Sequence, residues 1–377
     1  MVTTLEQSLM EEYVESTGIS GTASPRRYLW TDAFAVCNLL GLARSAGEVR
    51  YLTLARELVD QVHHTLGRHR SDDRRTGWIS GLPESEGEQH PTRGGLRIGK
   101  LLNERGPEEP PDPQLEWDQD GQYFHYLTKW MHALHRMSQE TGEPDYQRWA
   151  VELAVAAHRA FTVERPPGSP KRMVWKMSID LSRPLVDSMG QHDPLDGLIT
   201  CLELQTDHGR KAREEQALIP AINDMTEMCY HAQWTTHDPL GIGGLLDNAT
   251  RLSQLVFEHH LPFHDLLDQV LLAADRSLRD LSRTSWLSRP ADTRLPFREL
   301  GLSIGLKGLP LIRDLVAGHP ALLGAVSGLL RYQLLAEQIE SFWCSPRPRT
   351  IQTWTDHREI NSVMLATSLC PASYLRC

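Results

Sequence analysis

Three aspartates stand beside aromatic residues in a pattern that suits acid–base chemistry. Asp32 lies two residues after Trp30, and Asp118 and Asp120 lie one and three residues after Trp117. Hydrolysis of a glycosidic bond needs two carboxyl groups across the bond. Burial among apolar or aromatic groups can keep one of them protonated near neutral pH. We therefore predict Asp32, Asp118 and Asp120 as the catalytic acids.

Aromatic and imidazole side chains recur near the same positions. Sugar rings present apolar faces that stack on aromatic rings, so we predict that the substrate contacts Trp30, Trp117 and Trp175. Histidines occur at four predicted helix starts: His125, His192, His237 and His357. Two histidines could serve as acid and base for abstraction of a proton next to a carbonyl. That chemistry would make the protein an epimerase or isomerase.

Four further charged residues complete the predicted substrate-binding set: Lys176, Arg298, Glu299 and Arg358. An arginine can bind a carboxylate or phosphate with two parallel hydrogen bonds. Lys176 lies in a polar stretch whose chemistry the sequence does not define. Each residue taken singly is also explained by helix capping, core packing or an ordinary ion pair.

The motif His-Asp-Pro-Leu, followed by an apolar run, occurs twice. The two copies begin at His192 and His237, 45 residues apart. Each copy has the features of a helix start, because aspartate is a favoured cap and proline suits the first helical position. We therefore predict that Asp193 and Asp238 cap helices and matter mainly for folding. The spacing suits one helical hairpin and indicates a repeat architecture.

Composition narrows the classes of partner. The chain has 377 residues and a net charge of −10, without long runs of lysine or arginine, so we expect no nucleic acid or membrane surface as a main partner. The six cysteines are scattered, and we find neither an apolar leader nor a stretch of 18 apolar residues. These features favour a cytoplasmic protein. The glycine spacings of phosphate loops and the metal motif H-E-x-x-H are absent, so we expect neither cofactor nor metal.

Helical periodicity runs through most of the chain, and no segment alternates as a strand does. Val49 to Leu66 is a clear amphipathic helix, with apolar residues four apart. We count six apolar helices that alternate with six amphipathic ones, which indicates inner and outer helices of one closed ring. Gly301, Gly305 and Gly308 are expected to let inner helices approach closely.

The segment from about residue 68 to 117 interrupts this pattern. It is rich in glycine, proline, arginine and glutamate and lacks sustained periodicity. A loop of this length is usually functional or disordered. We expect it to cover the mouth of a pocket, because it ends directly at the acids near Trp117.

This organisation resembles the (α/α)6-barrel superfamily of six-hairpin glycosidases, with its glucuronyl hydrolase and sugar epimerase relatives. The likeness spans Trp30 to Leu369 and rests on the openings of the inner helices, at Trp30, Trp117, His192, His237, Arg298 and Asp356. The resemblance implies an all-α, single-domain (α/α)6 barrel with a substrate pocket at the N-terminal ends of the inner helices.

Three functions remain open at this point. The first is a glycoside hydrolase-like enzyme that acts on a small or modified saccharide by carboxylate acid–base catalysis. The second is a sugar epimerase or isomerase that uses histidines, and the third is a non-catalytic binding or scaffold protein on the same barrel. The sequence does not indicate the sugar, the stereochemical outcome or the oligomeric state.

Overall fold

The computed structural model describes residues 4–21, 24–164, 171–206, 212–230 and 232–377. Its α-helices are, in chain order, α1 (Thr4–Ser16), α2 (Leu29–Ala46), α3 (Val49–Leu66), α4 (Glu84–Gln89), α5 (Phe124–Thr141), α6 (Pro144–Phe161), α7 (Asp193–Gln205), α8 (Ala212–Tyr230), α9 (Pro239–Phe257), α10 (His264–Ser282), α11 (Pro296–Leu306), α12 (Leu309–Leu315), α13 (Pro320–Leu330), α14 (Leu334–Cys344), α15 (Gln352–Thr355), α16 (Arg358–Leu369) and α17 (Ala372–Leu375). In the described part of the chain, no helix is both long and apolar enough to cross a membrane.

Short strands accompany the helices, and the expectation of no strand is wrong for them. They are β1 (Gln122–Tyr123), β2 (Thr162–Val163), β3 (Arg172–Met173), β4 (Lys176–Met177) and β5 (Pro184–Val186). β4 lies between β1 and β5 in an antiparallel sheet, and β2 pairs with β3. Strands of two or three residues are too short to show alternation in a sequence.

The chain forms two compact units. The N-terminal unit comprises Val14–Leu40 and Val49–His231. The C-terminal unit comprises Met1–Tyr13, Gly41–Glu48 and Ala232–Cys377. The expectation of a single domain stays a prediction.

Two classes of helix build the N-terminal unit. α5 packs against α6 and α7, and α7 packs against α8. Side chains are buried all round α7 from Asp193 to Leu204, whereas α3 and α6 each bury one face. A helix that is apolar on every side belongs inside, and an amphipathic one belongs outside. The predicted alternation is thus confirmed in this unit, and α3 has the bounds expected from its periodicity.

Close helix packing marks the C-terminal unit, where α9 packs against α10 and α11, and α11 against α14 and α16. A β-carbon on Gly243 would lie 2.2 Å from the carbonyl oxygen of Gly301, and one on Gly305 would lie 2.5 Å from that of Gly243. Any larger side chain would push α9 and α11 apart. The close approach predicted for Gly301 and Gly305 is confirmed.

The segment from residue 68 to 117 is folded onto the N-terminal unit. It contains α4 and a 3-10 turn at Leu115–Trp117, and it buries Trp78, Leu96 and Ile98. The guanidinium of Arg75 binds three carboxylates within this unit, at 2.7 Å from Asp73, 2.6 Å from Glu104 and 2.7 Å from Asp180. These bonds hold the long segment against the loop that follows β4.

Candidate active site

Aromatic rings form a continuous cluster in the N-terminal unit. The rings of Tyr123, His125 and Trp175 have centroids 5.2–6.3 Å apart and planes inclined by only 13–32°. The ring of Trp117, 54% exposed, meets Trp175 edge-on at 5.0 Å. The short β1–β4 pairing, with Tyr123 opposite Lys176, fixes the backbone on which this cluster is built.

Tyr126 extends the cluster to the start of α2. Its hydroxyl lies 2.7 Å from that of Tyr28, and its ring lies 6.4 Å from the nearly buried ring of Trp30. The predicted aromatic contacts of the N-terminal unit thus lie in one cluster. Tyr28 and Tyr126 were missed, because a tyrosine inside a helical pattern carries no signal that separates a site from a core.

A buried acid faces an imidazole beside this cluster. Oδ1 of Asp193, the first residue of α7, lies 3.7 Å from Nδ1 of His125 on α5. Nδ1 of His125 and Oδ2 of Asp193 are both buried without a hydrogen-bond partner in the part of the chain that is described. Burial of a polar atom without a partner is costly, so each such atom calls for an explanation. The two groups therefore form a candidate acid–base pair.

Electrostatics set the protonation of this pair. Burial, assisted by the charge of Asp196, raises the pKa of Asp193 to about 8, against the opposing effect of Lys129. Burial lowers the pKa of His125 to about 4, and the charge of Asp196 offsets only part of that shift. At neutral pH the acid therefore carries its proton, and the imidazole is uncharged.

Asp196 stands one turn after Asp193 on the same face of α7. Its Oδ1 accepts a hydrogen bond from the ammonium of Lys129 at 2.7 Å, and its Oδ2 accepts one from the hydroxyl of Thr128 at 2.7 Å. Residues three apart on a helix have β-carbons about 5–6 Å apart. Asp193 and Asp196 therefore present two carboxyl groups to the same side.

The predicted acid Asp32 lies buried at the start of α2. Its Oδ1 is 3.3 Å from the guanidinium of Arg27, and its Oδ2 accepts from the backbone N–H of Tyr28 at 2.8 Å. Arg27 in turn donates to the carbonyl oxygen of Thr17 at 2.5 Å. These bonds give Asp32 a clear part in fixing the chain before α2.

Asp120 is also fully buried and holds the long segment in place. Its Oδ2 accepts from Arg97 at 2.9 Å and from Arg70 at 3.2 Å, and its Oδ1 accepts from the backbone N–H groups of Gly99 and Gly121. By contrast, Asp118 is exposed. The assignment of Asp32, Asp118 and Asp120 as catalytic acids stays a prediction.

Lys176 is fully buried under the aromatic cluster. Its ammonium donates to the carbonyl oxygens of Glu116 and Gln119 at 2.6 and 2.9 Å, and it lies 3.1 Å from the carboxylate of Glu116. Burial lowers the pKa of Lys176, and the charge of Glu116 opposes that shift. Arg105 binds the second carboxylate oxygen of Glu116 at 3.1 Å. The predicted contact of Lys176 with substrate would require these bonds to open.

A pocket of about 230 Å³ borders the cluster. Its lining comes from the long segment, from β1 and from the strands β4 and β5 with their connection: Pro111, Asp112, Pro113, Glu116, Trp117, Tyr123, Trp175, Leu185 and Val186. The long segment thus supplies one wall of a pocket. That it covers the mouth of the substrate site stays a prediction.

Helix openings also meet in the C-terminal unit. The side chain of Asp238 caps α9 by accepting from the backbone N–H of Gly241, as predicted, and it accepts from Arg298 at 2.8 Å. The ring of His357 lies 6.0 Å from that of Phe297. The openings of α9, α11 and α16 are therefore neighbours.

The remaining predicted residues of this unit differ in exposure. His237 is exposed, and the exposed Arg358 pairs with Glu12 at 2.8 Å. Glu299 is buried, with both carboxylate oxygens bound by Arg294 at 2.6–2.7 Å and one also bound by the indole N–H of Trp343. The geometry of Glu299 is that of a structural ion pair.

The acid of the first His-Asp-Pro-Leu copy was assigned wrongly as a cap. The side chain of Asp193 gives α7 no capping hydrogen bond, and the half-buried His192 stands just before it. The shared motif gave both copies the same prediction. The signal that could have separated them was the dense aromatic stretch from Tyr123 to Tyr126, which places His125 opposite the first copy only.

Comparisons with known proteins bear on the fold. No protein-family model and no curated protein matches the sequence. Among solved structures, a GH76 α-mannanase from Bacteroides thetaiotaomicron matches with a TM-score of 0.54 and 10% identity, over 98% of this chain and 95% of that one. A cellobiose 2-epimerase from Spirochaeta thermophila (TM-score 0.46, 14% identity, 88% and 86% covered) and a D-mannose isomerase (0.46, 10%, 97% and 98%) also match.

The mannanase likeness covers nearly the whole of both chains. Together with the predominance of helices, it shows that the chain has an all-α fold of the (α/α)6-barrel class. The fold that the resemblance implied is thereby confirmed. A fold of this kind does not fix an activity, which must be argued from the site.

Proposed function

We propose that this protein is a carbohydrate-active enzyme that hydrolyses a glycosidic bond, with Asp193 as the proton donor. The observation that carries the proposal is the buried Asp193 carboxyl, whose Oδ1 lies 3.7 Å from Nδ1 of His125 in the aromatic cluster and whose Oδ2 has no hydrogen-bond partner among the described residues. A carboxylic acid that stays protonated at neutral pH is what a leaving sugar oxygen requires. The mannanase with the same fold acts on a saccharide, which agrees with this reading.

The chemistry needs a second carboxyl group, and we assign that role to Asp196. Asp193 would give its proton to the glycosidic oxygen as the C–O bond breaks and the aglycone leaves as an alcohol, while the carboxylate of Asp196 faces the developing positive charge on the sugar. Water then adds to the anomeric carbon and gives a proton to the Asp193 carboxylate, which releases the reducing sugar and restores the acid. Lys129 and Thr128 hold that carboxylate in place. A retaining mechanism requires the two carboxyl groups to lie about 5–5.5 Å apart.

A second function is favoured by one specific observation. Because His125 is uncharged at neutral pH, it can accept a proton, while Asp193 beside it can donate one. Removal of a proton next to the carbonyl of an open-chain sugar, and its return, would make an isomerase or epimerase. The proposed hydrolase and this alternative use the same pair and differ in the bond that changes.

Proton NMR in D₂O separates the two. The protein is incubated with a panel of disaccharides and methyl glycosides, with Asp193→Asn protein as the background control. Hydrolysis releases a new reducing sugar without deuterium on its carbons, and this is the result we expect. Deuterium at a carbon next to the carbonyl, without cleavage, would support the isomerase instead.

The same panel tests a non-catalytic role. If no saccharide changes and none binds by titration calorimetry, both enzyme readings fail and a scaffold on the same barrel becomes the better account. Asp32→Asn, Asp118→Asn and Asp120→Asn proteins, assayed with the substrate found, decide whether any of these three predicted acids contributes to turnover.

A further inference from the structure

The pocket beside Trp117 differs from the acid site in its chemistry. Seven of its nine lining residues are apolar or aromatic, and the indole rings of Trp117 and Trp175 meet edge-on at 5.0 Å within it. Pockets for drug-sized ligands measure about 300–1,000 Å³. A volume of about 230 Å³ therefore suits one ring rather than an oligosaccharide.

The two acidic residues of the lining are already engaged. The carboxylate of Glu116 is bound by Lys176 and Arg105. Oδ1 of Asp112 accepts hydrogen bonds from the backbone N–H groups of Gln114 and Leu115. A sugar ring in this pocket would bring hydroxyl groups to a lining that offers them few partners, and buried unpaired hydroxyls are costly. An apolar ring would meet no such penalty.

The pocket and the proposed acid site share one aromatic cluster. Tyr123 and Trp175 line it, and the ring of His125 stacks on both, at 5.4 and 6.3 Å. His125 in turn faces Asp193. The stacked rings thus connect the lining of the pocket to His125, the residue that faces the acid.

We infer that the pocket lined by Trp117, Tyr123 and Trp175 binds an aromatic group that the substrate carries as its aglycone. This inference rests on the proposed function, because it names the class of glycoside that the acid site would cleave: an aryl or arylmethyl glycoside. Stacking on two indoles and a phenol, with proline at the rim, holds the ring. The sugar then lies toward Asp193.

Benzyl, hexyl and methyl glycosides of the same sugar test the inference, over a panel of common hexoses in both anomers. All three leaving groups are simple alkoxides, so a difference in KM reports binding of the aglycone rather than ease of bond cleavage. We expect the KM for the benzyl glycoside to be about tenfold lower than that for the methyl glycoside. Aromatic contacts of this kind support an effect of that order.

Trp117→Ala is expected to raise the KM for the benzyl glycoside about three- to tenfold and to leave that for the methyl glycoside unchanged. Leu115→Ala is the matched control, because this exposed leucine lies in the same turn but outside the lining. Should Trp117→Ala fail to fold, Val186→Phe fills the pocket from β5 and must abolish the benzyl preference alone.

The outcomes separate this inference from the function on which it rests. Turnover without a benzyl preference, or with an equal preference for hexyl, overturns the aromatic pocket and leaves the hydrolase standing. If no glycoside is cleaved, binding of benzyl alcohol is followed by saturation-transfer NMR of its ring protons. Binding that Trp117→Ala removes then supports the pocket while the hydrolase fails, and absence of binding overturns both.

Discussion

Replacing Asp193 by asparagine should stabilise the protein at neutral pH. The pKa of this carboxyl rises from its ordinary value of 3.8 to about 8 on folding. At pH 7 the unfolded chain carries the ionised form, so folding must put the proton back. One pH unit corresponds to about 1.4 kcal/mol. About three units separate 3.8 from pH 7, so the free energy of unfolding should rise by up to about 4 kcal/mol in the asparagine variant.

The sign of the effect defines a pH window. Below about pH 4 both the folded and the unfolded protein hold the proton, and the variant has no advantage. Between about pH 4 and pH 8 only the folded protein holds it, so the stability of the natural protein falls as the pH rises. Above pH 8 the difference between the two proteins stays constant.

Urea unfolding followed by circular dichroism at pH 4.5, 6 and 7.5 measures this difference. Asp238→Asn is the matched control, because it changes the same residue of the second His-Asp-Pro-Leu copy, where the side chain is a true cap. Its effect should be small, since asparagine also caps well. A loss of stability in Asp193→Asn, or a gain that does not vary with pH, would refute the reasoning.

Four further predictions follow from the same geometry. The kcat/KM of the natural protein should fall about tenfold per unit above pH 8, as Asp193 loses its proton; a profile flat to pH 9 would contradict this. Glu299→Ala should lower the free energy of unfolding in urea by about 3–5 kcal/mol, because it leaves the buried guanidinium of Arg294 without its carboxylate partner. A loss below about 1 kcal/mol would argue against a structural pair. Asp120→Ala should cost a similar amount and Asp118→Ala less than about 0.5 kcal/mol, and equal costs would be inconsistent with their burial. Asp238→Ala should lower stability by about 0.5–2 kcal/mol, the range for a lost cap, and no change would remove that role.

Helix content was predictable because periodicity is a local property. α3 has the bounds that its apolar spacing indicates, and Gly301 and Gly305 pack against α9 as their positions in an apolar helix suggest. The strands escaped prediction because each has two or three residues and forms only where the long segment folds back. A pattern of that length is set by tertiary contacts.

Site chemistry was less predictable, because it depends on what faces each residue. Asp193 and Asp238 share one motif, yet the first faces His125 in a buried setting and the second faces Arg298 near the surface. The aromatic cluster was foreseen in part, from Trp117 and Trp175. The sequence does not show that the carboxylate of Asp120 is bound by Arg70 and Arg97.

The comparison of kcat/KM between Asp193→Asn and Asp238→Asn proteins, measured at pH 7 on the saccharide that the NMR panel identifies, tests the central claim most directly. Loss of a positioned proton donor lowers the rate about 10²–10⁴-fold. We predict a loss of that size in Asp193→Asn and a change within about twofold in Asp238→Asn. Full turnover in a folded Asp193→Asn protein would contradict the assignment of Asp193 as the proton donor.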